Sequence, residues 1–251
     1  MTMKRLLVLL AVLATATGVA QADLDGAVLR VGSDTTYPPF EMVNASGEIV
    51  GFDVDVVNAI CEKIDCVAEF VTTAWDGIFP ALAAGEFDMV ASGVSITPER
   101  DEIVDFSEPY LVVGQSITTR VEDASLTKEV FTAEDSSLVL GAQLGTTNAQ
   151  LGQELVGDDR LRLYDTFNAA VLALLNGDVD GVIIDDTAAD AFVQQNAGEL
   201  TVEIRGLTSD PLGLVFQEGD PLQDAFNEGL AAIQEDGTLD ALIAEWFAPA
   251  E

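Results

Sequence analysis

The chain has 251 residues, of which 44 are acidic and 10 are basic, and it contains no histidine and two cysteines. The net charge of −34 excludes nucleic-acid binding, because a surface this acidic repels phosphate backbones. Without histidine there is no Ser-His-Asp triad or histidine metal site, and two cysteines are too few for a cysteine zinc site. We therefore expect neither a metal nor a cofactor. The 49% of hydrophobic residues indicates a folded chain, with one large domain or two small ones.

The first 22 residues have the pattern of a secretory signal peptide. Lys4 and Arg5 precede an apolar run over residues 6–13, and Ala20-Gln21-Ala22 is a small-x-small cleavage site. The apolar run is too short to span a membrane. We predict cleavage after Ala22 and a mature chain that is exported and soluble.

The remaining sequence alternates between strand and helix patterns, which is typical of an α/β fold. Strand patterns occupy residues 28–32, 67–71 and 89–91, and helical patterns occupy residues 52–61 and 78–84. Thr97 and Pro98 begin another helix as N-cap and first-turn residues. Near the end of the chain, Asp236-Gly237 separates helices over residues 221–234 and 238–247.

The two cysteines, Cys61 and Cys66, lie between a predicted helix and a predicted strand. Export permits a disulfide between them, and a loop this small would contribute about 2 kcal/mol of stability. A redox-active pair is the alternative, although it usually has tighter spacing.

An internal similarity indicates two lobes. Residues 79–90 and 171–182 both read as a helix, a glycine C-cap, an acidic turn and a strand. We predict two α/β lobes, each with a mostly parallel sheet flanked by helices: residues 23–112 plus 211–251, and residues 116–206. Hinge strands near residues 111–119 and 207–216 would cross between the lobes twice and leave a cleft between them.

The acid excess has two interpretations. In concentrated salt the Debye length falls to about 3 Å, so a dense acidic surface is tolerated, as in halophiles. The other interpretation is an acidic patch for a cationic protein partner. We favour the salt-adapted surface.

Polar residues follow several predicted strands, which is where open α/β sheets bind ligands. They are Asp34, Ser92-Gly93-Val94-Ser95, Gly145-Thr146-Thr147 and Asp185-Asp186. Tyr37 and Trp75 lie on loops, where they would flank a ligand side chain or, alternatively, pack in the core.

Arg100 lies in the first turn of the helix that begins at Thr97. A guanidinium there can form a forked pair with a ligand carboxylate, aided by the helix N-terminus. Gly145-Thr146-Thr147 would present backbone N–H groups to the same anion. Asp186 suits an ammonium group, so Arg100 and Asp186 would hold the two ends of a zwitterion. The alternatives are a surface ion pair for Arg100 with Glu99 or Asp101, and an N-cap role for Asp186.

Several of these segments together resemble the family 3 periplasmic solute-binding proteins, which deliver polar amino acids to ABC transporters. They are Asp34-Thr35-Thr36-Tyr37-Pro38-Pro39-Phe40-Glu41, Gly51-Phe52-Asp53-Val54-Asp55, Ser95-Ile96-Thr97-Pro98-Glu99-Arg100, Asp105-Phe106-Ser107, Asp236-Gly237-Thr238 and Trp246-Phe247. The resemblance covers essentially the whole mature chain. It implies a type II two-lobe fold, periplasmic location, hinge closure, a membrane permease partner, a monomer and no catalytic residue.

The resemblance also implies a role for each site residue. Arg100 and the N–H groups of Ser95 and Thr147 would bind the α-carboxylate, and Asp186, the Gly93 carbonyl and the Ser95 hydroxyl would bind the α-amino group. Tyr37 and Trp75 would flank the side chain, with Asp34, Ser92 and Gln143 nearby. The cysteine pair resembles the small disulfide of the lysine/arginine/ornithine and histidine binders.

A charge count favours a cationic ligand. Arg100 against Asp34, Asp185 and Asp186 leaves excess negative charge, which arginine, lysine, ornithine or histidine would reduce. A glutamine or general polar amino acid binder is the alternative. A further alternative is an exported enzyme similar to cyclohexadienyl dehydratase, in which Asp34 or Asp185 would act as general acid.

Overall fold

The computed structural model describes residues 22–247. The predicted signal peptide lies outside these residues, except for Ala22. The strands are β1 Ala27–Ser33, β2 Thr36–Tyr37, β3 Glu41–Val43, β4 Ile49–Val50, β5 Cys66–Thr72, β6 Met89–Val90, β7 Asp105–Phe106, β8 Leu111–Val113, β9 Gln115–Arg120, β10 Leu140–Gln143, β11 Leu161–Tyr164, β12 Gly181–Asp185, β13 Leu200–Ile204, β14 Asp210–Leu212 and β15 Val215–Phe216.

Helices cover both sheets and the end of the described chain. They are α1 Phe52–Ile64, α2 Ile78–Ala83, α3 Pro98–Asp101, α4 Lys128–Thr132, α5 Thr147–Val156, α6 Phe167–Asn176, α7 Asp186–Gln195, α8 Leu222–Glu235 and α9 Thr238–Trp246. None of the helices in this part of the chain is long and apolar enough to cross a membrane.

Each lobe is built around one five-stranded sheet. The first sheet has the order β5-β1-β6-β15-β7, and the second has the order β11-β10-β12-β9-β13. In the first sheet β1 runs parallel to β5 and β6, whereas β15 runs antiparallel to β6 and β7. The second sheet repeats this pattern, since β10 is parallel to β11 and β12 while β9 is antiparallel to β12 and β13.

The sheets are mixed but mostly parallel, as predicted, because in each sheet four of the five strands share one direction and a single strand, β15 or β9, runs against them. The antiparallel pairs involve strands that enter a lobe from the hinge. Such a strand needs no crossover helix before it pairs, so nothing forces it into the parallel direction. The predicted α/β class is confirmed.

A two-stranded ribbon carries the chain between the lobes. In this ribbon β8 pairs antiparallel with β14, and Leu111 lies opposite Leu212. Gly114 separates β8 from β9, and the backbone N–H of Asp186 donates to its carbonyl at 2.8 Å. The polypeptide passes from β8 to β9 in one direction and from β13 to β14 in the other. The ligand-facing strand ends of the two sheets meet beside this ribbon.

Helix α1 packs its apolar face into the first lobe. Phe52, Val56 and Ile60 are fully buried, and α8 lies against the same helix. Gly229 of α8 brings the two helices close, because a Cβ there would lie 2.7 Å from Ile60 Cγ2. The predicted disulfide between Cys61 and Cys66 is present and joins the last turn of α1 to the first residue of β5.

Gly51 determines how α1 begins. Its φ angle is +149°, and a Cβ there would lie 2.0 Å from the Phe40 carbonyl oxygen. That carbonyl accepts a hydrogen bond from the Asp53 N–H at 3.0 Å, so the backbone cannot move away without losing the helix start. Only glycine fits this close approach of two chain segments.

We predict that Gly51→Ala lowers the free energy of unfolding by about 3 kcal/mol or more, because it adds a backbone clash to an unfavourable φ. Gly47→Ala is the matched control: Gly47 has a φ of +85° and open space around its Cβ position. It should cost only about 1–2 kcal/mol. Urea titration followed by circular dichroism measures both, and equal losses would contradict the role given to Gly51.

Candidate ligand-binding site

A cavity lies between the lobes at the ends of the strands. Its free space, counted with its solvent-open mouth, is about 330 Å³. The first lobe contributes Asp34, Tyr37, Trp75, Ser92, Gly93, Ser95 and Arg100, and the second contributes Gln143, Thr146, Thr147, Asn148, Phe167 and Asp185.

Hydrogen bonds from behind hold the first-lobe wall. The hydroxyl of Ser92 donates to Glu41 Oε1 at 2.7 Å and accepts from the Asp34 N–H at 3.0 Å. The N–H of Gly93 donates to Asp53 Oδ2 at 2.7 Å. These bonds fix the loop after β6, so the Gly93 carbonyl and the Ser95 side chain take set positions.

Arg100 is the positively charged residue among those that line the cavity. Thr97 caps helix α3 by accepting from the Arg100 N–H at 3.3 Å, and Arg100 Nη1 donates to the Ser95 carbonyl at 2.8 Å. The guanidinium carbon lies 5.2 Å from the centre of the Trp75 ring and 5.4 Å from that of Phe79. Two aromatic faces thus support the cation.

No carboxylate of the described residues lies within ion-pair distance of Arg100. Burial lowers the pKa of Arg100 to about 10, although Asp185 and Glu99 act in the opposite direction. The predicted alternative, a surface pair with Glu99 or Asp101, is therefore wrong. The guanidinium keeps most of its donors for a bound anion.

The second-lobe wall is the N-terminus of helix α5 together with the end of β10. Thr146 caps the helix, since its hydroxyl accepts from the Ala149 N–H at 3.1 Å. The first N–H groups of a helix have no partner within it and carry partial positive charge. Thr147, the first residue of α5, therefore adds to the field of Arg100 from the opposite wall.

Asp185 lines the cavity, and Asp186 does not. Asp185 is the last residue of β12 and is buried, whereas Asp186 is the first residue of α7 and is partly exposed. The Asp186 side chain faces the hinge, where Oδ1 accepts from the Gly206 N–H at 3.5 Å. The placement of Asp186 in the cleft is thus corrected, and Asp185 alone of the pair lines the cavity, because the chain turns from β12 into α7 between the two residues and their side chains point in different directions.

Two donors contact the Asp185 carboxylate. Tyr37 Oη donates to Oδ2 at 2.6 Å, and Asn148 Nδ2 donates to Oδ1 at 2.9 Å. Burial raises the pKa of Asp185 to about 6, while these two hydrogen bonds act to lower it. A carboxylate has about four acceptor sites, so a further donor can still bind.

Side chains of the two lobes touch across the cavity. Besides the bond between Tyr37 and Asp185, Gln143 Nε2 donates to Asp34 Oδ2 at 2.8 Å. The hydroxyls of Ser95 and Thr147 lie 3.4 Å apart. The lobes are therefore in a closed arrangement.

The aromatic residues are packed more tightly than flanking groups on open loops would be. The Tyr37 ring stacks with Phe40 at a centroid distance of 5.1 Å and with Phe167 at 5.2 Å. Trp75 lies under Arg100 and contacts Phe79 edge-on. Each ring is both part of the cavity wall and part of the packing, and the contact with a ligand side chain stays a prediction.

The structure brings the predicted site residues other than Asp186 to one cavity. Sequence reasoning did not assign site roles to Asn148 and Phe167, which line the cavity from the second lobe. Phe167 follows β11, a strand that was not predicted. The strand-end rule that selected Asp34 would have led to Phe167 if β11 had been recognised. Within residues 22–247 no group of three or more acidic or cysteine side chains is arranged to hold a metal ion.

Comparison with known proteins assigns the family. The sequence model of the bacterial extracellular solute-binding proteins, family 3, matches residues 29–249. The chain belongs to this family. The resemblance noted from the sequence motifs is thus confirmed.

Three similar proteins illustrate the relationship. ABC transporter arginine-binding protein 1 of Escherichia coli K12 is 33% identical over 96% of this chain and 98% of its own length. A solved ancestral arginine-binding protein bound to arginine has a TM-score of 0.82 and 33% identity, over 88% of this chain and 99% of that chain. The ancestral amino acid-binding protein AncCDT-1, a precursor of cyclohexadienyl dehydratase, has a TM-score of 0.80 and 35% identity, over 88% and 96%. These relatives and the family identify a binding protein and not an enzyme, as predicted.

The cross-lobe bond of Tyr37 makes a testable contribution to closure in this family 3 protein. Above the pKa of Asp185, which is about 6, the carboxylate is ionised, and a hydrogen bond to a charged group contributes about 1.5–3 kcal/mol. Tyr37→Phe should therefore shift the equilibrium of the ligand-free protein towards the open form by about tenfold or more. Small-angle X-ray scattering would detect this shift as a larger radius of gyration. Tyr164→Phe, in the exposed edge strand β11, is the control, and a Tyr37→Phe radius equal to that of the control would contradict the prediction.

Proposed function

We propose that this chain is the extracytoplasmic amino-acid-binding component of an ABC importer. We further propose that it binds a cationic L-amino acid, namely arginine, lysine, ornithine or histidine, and that it acts in the periplasm as a monomer. The observation that carries the proposal is a cavity in which one guanidinium without a carboxylate partner faces two buried carboxylates.

The carboxylate of the ligand would bind to Arg100. The guanidinium offers parallel donors that suit a carboxylate, and Trp75 keeps the guanidinium in place. The backbone N–H groups of Ser95 and Thr147 add donors from the two lobes. Because Arg100 has no carboxylate partner in the described chain, an incoming carboxylate replaces solvent and breaks no existing ion pair.

The ammonium group of the ligand would bind to Asp185. This assignment transfers to Asp185 the role that the sequence gave to Asp186. Tyr37 and Asn148 orient the Asp185 carboxylate, and the Gly93 carbonyl and Ser95 hydroxyl lie in the same cavity wall. An ammonium group has three donors, which these three acceptors would satisfy.

The side chain of the ligand would extend towards Asp34 and Gln143. Asp34 Oδ1 accepts from the Thr36 hydroxyl at 2.7 Å, and Oδ2 accepts from Gln143. With Asp186 outside the cavity, the lining residues carry one guanidinium against two carboxylates. A neutral amino acid leaves this excess negative charge in place, whereas a cationic amino acid cancels it. Since unpaired buried charge is costly, the count favours a cation.

The transport mechanism would follow from closure. A ligand that contacts both lobes stabilises the closed form, and the closed protein would then dock on the membrane permease. No bond is made or broken in this cycle. The enzyme alternative is not favoured, because the family and the named relatives are binders.

Calorimetric titration of the purified protein with the common amino acids, in concentrated salt, tests the ligand class. We expect arginine or lysine to bind with the highest affinity. Tight glutamine binding without a response to arginine, lysine, ornithine or histidine would support the glutamine alternative and contradict cationic specificity.

We predict that Arg100→Ala weakens binding of every amino acid by about a hundredfold or more, because the ligand carboxylate loses its charged partner inside the cavity. Arg162→Ala is the matched control, since Arg162 is exposed and donates only to nearby carbonyls. The melting temperature of both variants should stay close to that of the wild type. Unchanged affinity in Arg100→Ala would refute the assigned role.

Asp34→Asn should act on selectivity. The amide keeps the shape of the side chain but removes its charge, so arginine affinity should fall by about tenfold more than glutamine affinity. The exposed Asp76 provides the control Asp76→Asn, which should leave the ratio unchanged. An equal loss for both ligands would show that Asp34 does not face the ligand side chain.

A further inference from the structure

Carboxyl groups are buried around the ligand cavity without cations to balance them. In the described chain the buried acidic residues are Asp34, Glu41, Asp53 and Asp185, at 0–4% exposure. None of them forms an ion pair with a lysine or arginine of this part of the chain. Burying four carboxylate charges with Arg100 as the cation in the cavity wall is costly, so this arrangement opposes the ionisation of all four groups at once.

Glu41 has the poorest hydrogen bonding of the four. It accepts from the Ser92 hydroxyl through Oε1, whereas its buried Oε2 has no partner. By contrast, Asp53 accepts from the Gly93 N–H and from Tyr110 Oη, the latter at 2.9 Å. A fully buried carboxylate with one donor is poorly stabilised in its charged form.

The groups around Glu41 oppose its ionisation. Asp53 of α1 and Asp34 beyond β1 both face it with like charge, and the phenols of Tyr37 and Tyr110 are within electrostatic reach. Burial, followed by Asp53, raises the pKa of Glu41 well above its usual value, while the Ser92 hydrogen bond acts to lower it. Burial also raises the pKa of Asp53 to about 7.

Asp185 is in a comparable position at the other end of the cavity. Arg100 is the cation near it, while Asp210 and Asp186 face it with like charge. Glu41 lies behind the wall at Asp34, to which Ser92 connects it, so the two groups would sense different parts of a bound ligand.

We propose that Glu41 and Asp185 release protons to solvent when a cationic amino acid binds, so that the protein matches the charge of its cavity to the charge of its ligand. This inference rests on the proposed function. The ligand ammonium group stabilises ionised Asp185 for every amino acid. A cationic side chain at Asp34 additionally stabilises ionised Glu41. The number of protons released therefore depends on the charge of the ligand.

Proton release on binding makes the affinity for arginine rise with pH. Between the usual and the raised pKa of a carboxyl group, the ligand-free protein holds the proton and the complex does not. Rising pH removes that proton in advance, so arginine affinity increases with pH in this window. Between about pH 5.5 and about pH 7.5 we expect a gain of about threefold to tenfold.

Calorimetry in two buffers of equal pH and different ionisation enthalpy counts the protons released. At about pH 6.5, arginine should release more protons than citrulline, its uncharged analogue with the same α-amino and carboxyl groups. Glu41→Gln should abolish this excess without changing the citrulline count. The control Glu86→Gln, on the exposed surface, should behave as the wild type does.

Other outcomes separate this proposal from the proposed function. Arginine binding with a buffer-independent enthalpy, or an equal proton release for arginine and citrulline, would overturn the proton exchange but leave cationic specificity intact. Absence of arginine binding would instead overturn the proposed function. If Glu41→Gln does not fold, or if citrulline binds too weakly to be measured, the pH dependence of arginine affinity in the wild type tests the proposal instead. An arginine affinity that does not change with pH would refute it.

Discussion

The positive charge of Arg100 is the interaction on which the cavity depends. Arg100 is the positively charged side chain among the described residues that line the cavity. It packs against the rings of Trp75 and Phe79 and donates to the Ser95 carbonyl, in place of the carboxylate partner that a buried guanidinium usually has. A carboxylate at that place would neutralise the guanidinium and close the site to an anionic ligand group. The motif around Arg100 thus fixes the position of the charge and keeps it without an ion-pair partner.

The acid excess of the sequence separates into two populations. In the described chain only Asp34, Glu41, Asp53 and Asp185 are buried, and all four lie in or directly behind the cavity wall. The other described acidic residues have at least partial contact with solvent, where salt screens their repulsion. The salt-adapted surface remains a hypothesis, and it concerns only this second population. The net charge of the chain therefore does not indicate the charge of the ligand. The four buried carboxyl groups do bear on it, because they lie in or directly behind the cavity wall.

Most of the cavity could be predicted because strand periodicity and the strand-end rule are local properties of the sequence. Asp34, Ser92 and Thr147 follow recognisable strands or loops, and the structure places them together. The Asp185-Asp186 pair could not be resolved in this way, since one residue decides whether a side chain faces the cavity or the hinge. Strand β11 was not predicted because its sequence, Leu161-Arg162-Leu163-Tyr164, is short and half exposed. Glu41 and Asp53 could not be placed behind the wall at all, because their contacts to Ser92 and Gly93 join residues 40 or more positions apart.

The distribution of the site between the lobes ties recognition to closure. Arg100 comes from the first lobe and the N-terminus of α5 from the second, so the proposed carboxylate site is complete only when the lobes meet. The same holds for the ammonium site, where Asp185 of the second lobe faces Gly93 and Ser95 of the first, and Tyr37 reaches across to orient it. An open lobe presents half of each site and can hold a ligand only weakly. In the proposed function, full affinity for both ends of a zwitterion would therefore require the closed form, so ligand binding would change the relative position of the two lobes.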